Sequence, residues 1–327
     1  MNSEKRDLGI VLSTVTDEAA SEIVELGQLA EQHGYSTVYV NEGRGDALAC
    51  ALATALKTNA VRVGTNIANI YFRHPFLAAQ TARTIAELSG GRLTLGLGMS
   101  HRQMLASLGI DMGEARTILR DYTVAVSEAL AGRAGAGFLA PPPCKHDLPV
   151  YVAGNTVESA AVAGAVGHGL MPFLSPLDYI PTLLEAAHKA AEQAGRDVEA
   201  FGCVLSMPTF LSDDIDAAKS AARYNLAFFG QLPNYRRQWR RAGFGAVMDQ
   251  IKSIAGNQGS RRDMAAVIPD ELVEQVCVLG PPEQCEQQLD QFRARGVDEP
   301  VIAVSPVSMS RLEATRIAVR ALAPEPS

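Results

Sequence analysis

Short runs of apolar, often β-branched residues recur along the chain, each followed by a stretch whose apolar positions return every three or four residues. The run VRVGTNI at 61–67 places Val61, Val63, Thr65 and Ile67 in a mostly apolar setting, as in a strand covered on both faces. Pro75 then suits the first turn of a helix, where its missing N–H costs nothing. FLAAQTARTIAEL continues with good helix formers and one apolar face. Ser89-Gly90-Gly91-Arg92 offers the positive-φ residue that commonly ends a helix, and LTLGL at 93–97 is the next strand. The spacing predicts a parallel crossover unit.

The same alternation predicts further strands at 8–12, 36–40, 149–153, 169–174, 200–207 and 301–304. Helices are expected at 17–34, 47–57, 110–130, 156–166, 177–195, 283–295 and 311–322. The Gly/Ala/Pro-rich stretch 131–149 reads as an excursion, and 208–282 as a succession of helices without an obvious strand. Eight strands separated by helices point to an α/β fold, a (β/α)8 TIM barrel, with an open doubly wound sheet as the alternative. The chain is then one domain over 1–327, with the helical insertion 208–282 covering the catalytic face.

Chain direction locates the chemistry. GTNIAN and GLGMSH lie where strands run out, the end of a parallel α/β fold at which ligands gather, whereas SGGR lies where a helix hands over to a strand. Gly90-Gly91 is therefore a turn rather than a phosphate cradle, and the site is expected around 65–69 and 98–101.

Composition narrows the function classes. At 327 residues, 47% hydrophobic and 20% charged, the chain is long enough for one large α/β domain. The start MNSEKRDLGIVL shows no apolar signal region and no run approaches membrane-spanning length, so a cytoplasmic protein is expected. Five cysteines form no CxxC and no zinc spacing, which leaves small incidental thiols and no metal site. A net charge of −7 disfavours nucleic acid and anionic membranes as partners and leaves a small-molecule substrate. One cationic cluster, Tyr235 to Arg241 with Arg261-Arg262 nearby, is either a solvated helix face or a seat for an anionic group.

GLGMSH lacks the third glycine of a dinucleotide fingerprint, and Gly98 to Arg102 is not GxSxG. The lysines fall on predicted helices or connections or before the first strand, so no strand end offers a Schiff-base amine. His101 follows a strand end, and an ordinary imidazole pKa of ~6.5 suits proton donation; capping a helix is its competing role. Asn66 and Asn69 also fit an ordinary turn. Gly154-Asn155-Thr156 joins a strand to a helix, where free N–H groups favour an anion, although Asn155 with Glu158 also fits a capping pair.

VGTNIANIYFRHP, AELSGGRLTLGLGMSH, PVYVAGNTVESAAVAGAVGHG, AGRD at 194–197 and VLGPPEQCEQQLDQFRARGVDEPVI together resemble the bacterial-luciferase-like flavin and deazaflavin oxidoreductases over nearly the whole chain. NEGRGDAL, GMSHR and LPNYRRQWRRAGF are most similar to the branch that uses coenzyme F-420, the methylenetetrahydromethanopterin reductase type. The resemblance implies hydride transfer between the deazaflavin and a small organic substrate, in a homodimer. An FMN-dependent monooxygenase and a non-catalytic deazaflavin- or flavin-binding protein are the alternatives.

By the same resemblance, Asn66-Ile67 forms a bulge, often with a cis peptide, that backs the ring, together with Thr65 and Asn69. Gly98, Met99 and Ser100 follow the fourth strand, with Gly96 and Gly98 allowing close approach of the ring. Asn41 and Glu42 lie beside the ring's edge, and Ala153, Gly154, Asn155 and Thr156 seat the phosphate. His101 or Glu42 handles the proton, with a salt bridge to Arg44 as the competing role for Glu42.

Overall fold

Along each strand, alternate side chains go to different cores. Ile10, Leu12, Val38, Val40, Val63, Leu95, Val152, Leu205 and Ile302 join the large cluster under the helices. Tyr39, Met171, Val204 and Val301, with Val11, Ile67 and Tyr151 against them, form a separate cluster along the barrel axis. This two-residue period with both faces buried is what a closed parallel sheet imposes.

The computed structural model describes residues 7–15, 18–133 and 141–324. Its strands are β1 (Gly9–Ser13), β2 (Thr37–Asn41), β3 (Arg62–Thr65), β4 (Ala68–Asn69), β5 (Leu93–Gly98), β6 (Val150–Ala153), β7 (Gly169–Met171), β8 (Gly202–Leu211), β9 (Val278–Gly280) and β10 (Glu299–Val304). The pairing runs β10-β1-β2-β3-β5-β6-β7-β8, and β8 pairs in parallel with β10 from Val204↔Glu299 to Thr209↔Val304. Eight strands thus close a ring, and the open-sheet alternative, which would leave two free edges, is excluded. At the N-terminal end of the barrel Glu299 accepts from Tyr39 Oη at 2.7 Å and from Arg62 Nη2 at 3.2 Å, which closes the floor.

Four expectations are corrected. The helix expected from 17 runs Ala20–Gln32; position 17 lies outside the described residues. The helix expected over 110–130 starts only at Ala115 and runs to Leu130, and a short helix not expected from sequence, Arg102–Ser107, precedes it; Gly109 and Gly113 turn left-handed between the two, with φ 73° and 53°. β8 continues through Pro208 to Leu211, with Pro208 opposite Ala303. β9 lies within the stretch expected to be helical, and three residues are too few to show a period. Of the excursion at 131–149, residues 134–140 lie outside the described set.

The insertion proper consists of helices Ile215–Gly230, Pro233–Trp239, Gly245–Gly256, Arg261–Ala266 and Asp270–Val276, with a π turn at Arg240–Phe244. It has its own apolar core of Leu226, Tyr235, Trp239, Met248, Ile251 and Leu272, which also takes Leu174 and Phe210 from the barrel. No described helix is long and apolar enough to cross a membrane.

Candidate active site

β3 leaves the ladder after Thr65, and the Asn66–Ile67 peptide that follows is cis. The irregular segment is held by its neighbours: Asn66 N donates to Val40 O at 2.9 Å, Glu42 N donates to Ile67 O at 3.0 Å, and Asn66 Nδ2 crosses the mouth to Ser206 Oγ at 2.9 Å. The chain rejoins the sheet as β4, with Ala68 opposite Leu97 and Asn69 opposite Gly98. The half-buried Asn66 and Ile67 therefore stand at the C-terminal end of the barrel, where the sequence places them.

Several expected contacts are spent within the protein. Thr65 is fully buried; its hydroxyl donates to Gly96 O at 2.8 Å and accepts from Gly96 N at 3.0 Å. It ties β3 to β5 where the ladder breaks. Gly96 and Gly98 are also required by the chain's own packing. A Cβ on Gly96 would lie 2.1 Å from Thr65 O, and one on Gly98 would lie 2.6 Å from Ile67 Cγ1.

Glu42 is not paired as the sequence suggests. Its carboxylate takes Arg73 Nη1 at 2.6 Å and Nη2 at 3.1 Å, Ala47 N at 2.9 Å and Asn69 N at 3.0 Å. With its side chain 3% exposed, Glu42 is the buried centre that positions the loops after β2 and β3. Asn41 is also committed, its Oδ1 accepting from Thr14 N at 2.9 Å. Asn69 retains a buried Nδ2 with no partner among the described residues.

Beside this segment in the sheet, β5 ends in Gly98, Met99 is half-buried, and Ser100 adopts φ 59° before His101 opens the short helix Arg102–Ser107. The His101 side chain makes no capping bond, so the capping role falls away. Its Nδ1 is buried without a partner among the described residues, its ring lies 5.7 Å from that of Tyr235, and burial pushes its pKa below the ordinary imidazole value. Tyr235 belongs to the insertion, is 4% exposed, and also packs edge-on against Phe173 and Phe229.

The insertion is fastened to neighbouring strand ends. Trp239 Nε1 donates to Leu174 O at 2.9 Å, and Gln238 Nε2 donates to Ser175 Oγ at 2.7 Å, both in the loop after β7. After β6, Ala153 is half-buried and Gly154 is packed tightly, a Cβ there lying 3.0 Å from Leu170 Cδ1. Asn155 Oδ1 accepts from Phe173 N at 2.9 Å instead of capping the next helix; Thr156 and Ser159 form that capping box. Glu158 forms a two-pronged pair with Arg241 at 2.6 and 2.8 Å, and this guanidinium pulls its carboxyl down to about 2. The positive helix end therefore stands beside a neutralised acid.

Tyr235, Ser206 and Arg73 belong to this constellation but were missed from sequence. Arg73 and Tyr235 stood within quoted motifs, but their partners lie far along the chain. Ser206 occupies an inward position of a predicted strand, which was the available signal.

Residues 7–299 match the luciferase-like monooxygenase family. The 5,10-methylenetetrahydromethanopterin reductase of Methanolobus tindarius is 25% identical over 326 residues, covering 93% of this chain and 96% of that protein. A putative coenzyme F-420-dependent oxidoreductase of Mycobacterium tuberculosis is 25% identical over 340 residues, with the same 93% and 96% coverage. The coenzyme F-420-dependent tetrahydromethanopterin reductase of Methanopyrus kandleri shares the fold with a TM-score of 0.80 at 19% identity, over 98% of this chain and 99% of that one. Closed barrel, irregular β3 end and near-complete coverage agree: the chain belongs to the luciferase-like monooxygenase family.

Proposed function

We propose that the protein is a coenzyme F-420-dependent oxidoreductase that moves hydride between the deazaflavin and a small organic substrate. The observation that carries this reading is the near-full-length similarity, at 25% identity, to a protein described as a putative coenzyme F-420-dependent oxidoreductase. The residues fit such a group: Asn69 Nδ2 and His101 Nδ1 are buried nitrogens at the mouth with no partner among the described residues.

When bound, the deazaflavin supplies the hydride chemistry, and the protein supplies position, dryness and proton control. Asn66 and Ile67 would back the ring, fixed by Val40, Glu42 and Ser206. The turn Gly154-Asn155-Thr156 would receive phosphate at the start of the helix Val157–Val166, with Arg241 cancelling the repulsion from Glu158. Tyr235, packed in turn on Phe173, shields the ring of His101, which would hold or accept the proton that accompanies hydride transfer. Glu42 is left the positioning role that its four donors define.

An FMN-dependent monooxygenase is the competing reading, favoured by the description of the family. Anaerobic assays separate the two. With F-420 and a panel of alcohols, or reduced F-420 and unsaturated or imine compounds, turnover should proceed without oxygen. His101→Ala should lower kcat roughly 10²- to 10⁴-fold without weakening F-420 binding. Turnover that needs oxygen and reduced FMN would sink the proposal.

A further inference from the structure

In a chain of net charge −7, positions 233, 236, 237 and 240 bring three arginines to one face of the helix Pro233–Trp239 and its continuation. Together with Met248 and Lys252 of the helix Gly245–Gly256, they line a surface cavity of ≈ 200 Å³. The four cations are incompletely neutralised. Arg236 Nη1 donates to Gly230 O at 3.2 Å and to Gln231 O at 2.5 Å, contacts that fix its direction without cancelling its charge. Arg240 pairs with Asp249. Arg237 and Lys252 have no carboxylate partner among the described residues, although both are exposed.

Arg236 and Arg240 stand four apart on one helical face, an arrangement of like charges that works against folding. The apolar contacts of the insertion do not require it, because Trp239 and Tyr235 make those contacts on the opposite side. A cavity of this size falls below the roughly 300–1,000 Å³ that encloses a drug-sized ligand. It suits a compact group with several negative oxygens, which guanidinium forks bind in paired hydrogen bonds.

We propose that this cavity is a binding site for a small polyanion, phosphate- or carboxylate-bearing, distinct from the strand-end site. Two sources share that chemistry: a free anionic metabolite, and the charged tail of a deazaflavin seated in the barrel. The second rests on the function proposed above, and a structural link favours it. Arg241, next along the same turn, pairs with Glu158 at the β6 end, so the cationic helix runs from the cavity to the barrel mouth.

The test is calorimetric titration of the whole apo-protein with inorganic tripolyphosphate at low salt, then at increasing salt. One site is expected, with an affinity that weakens as salt rises. R237Q/K252Q should weaken it at least about tenfold, and R237E/K252E further, while R320E, an exposed charge reversal on the helix Arg311–Ala321, should leave it unchanged. Thermal melts confirm that each variant is folded. Absence of binding at low salt, or equal weakening by R320E, overturns the proposal. Repeating an F-420 titration with tripolyphosphate at saturation then identifies the source: competition assigns the cavity to the cofactor tail, and independence assigns it to a free metabolite. Tripolyphosphate binding without any F-420 binding would remove the deazaflavin reading and leave the cavity standing.

Discussion

His101 changes its expected role once its surroundings are known. From sequence its ordinary pKa of ~6.5 suits an acid, but burial against Tyr235 pushes it lower, so at neutral pH the ring is uncharged and accepts a proton. The folded value lies below the unfolded one, so as pH falls through ~6.5 the unfolded chain takes up the proton first. Stability is therefore lost from there down to the folded pKa and is indifferent to this group above it. An NMR titration should place the His101 midpoint below ~6.5, and His101→Gln should reduce the acid sensitivity; a midpoint at or above that value contradicts the burial argument. Glu42→Ala should cost on the order of 3 kcal/mol in urea unfolding, because it leaves the Arg73 guanidinium in a nearly buried site with only the exposed Asp46 as partner. Lost turnover at full stability would return Glu42 to a proton role. The positions of His101 and Asn66-Ile67 were legible because strand ends are legible. The contacts of Thr65 with Gly96 and of Gly98 with Ile67 were not legible, because a strand-end residue can face a ligand or the adjacent strand, and these neighbours are set by how β3 bends.

At the scale of elements, the eight ring strands were readable because each is short, apolar and bounded by turn residues. The insertion was readable as helical, but its docking was not, since Trp239 to Leu174 and Tyr235 to His101 join residues remote in sequence. Trp239 is fully buried and holds that docking with a ring and a hydrogen bond. Trp239→Ala should cost about 3–5 kcal/mol. Hydrogen exchange should show protection lost first in the helices from Ile215 to Val276, with β1 to β6 protected longer; uniform loss would mean that the insertion and barrel unfold as one unit. At the β6 end, Thr156→Ala removes a capping box and should cost about 0.5–2 kcal/mol, read as a lowered melting temperature. The Glu158–Arg241 pair adds stability that is present above the ordinary carboxylate pKa and disappears as pH falls through about 2. Exposure of both side chains keeps that contribution small.

Across the whole molecule, the barrel separates its duties by end. Glu299, Tyr39 and Arg62 close the N-terminal floor, while β2, β3, β5 and β6 deliver Asn41, Asn66, His101 and Gly154 to the other end, where an insertion with a separate core touches His101 and Leu174. That division was implicit in the alternation of strands and helices; the identity of the cofactor is a finer matter, because F-420 and FMN both carry a flat three-ring system and differ elsewhere. Parallel titration of the apo-protein with F-420 and with FMN, oxidised and reduced, followed by fluorescence or absorbance, tests it most directly. A deazaflavin oxidoreductase binds F-420 at least about tenfold more tightly than FMN in either redox state. Preference for reduced FMN, or binding of neither, would contradict it.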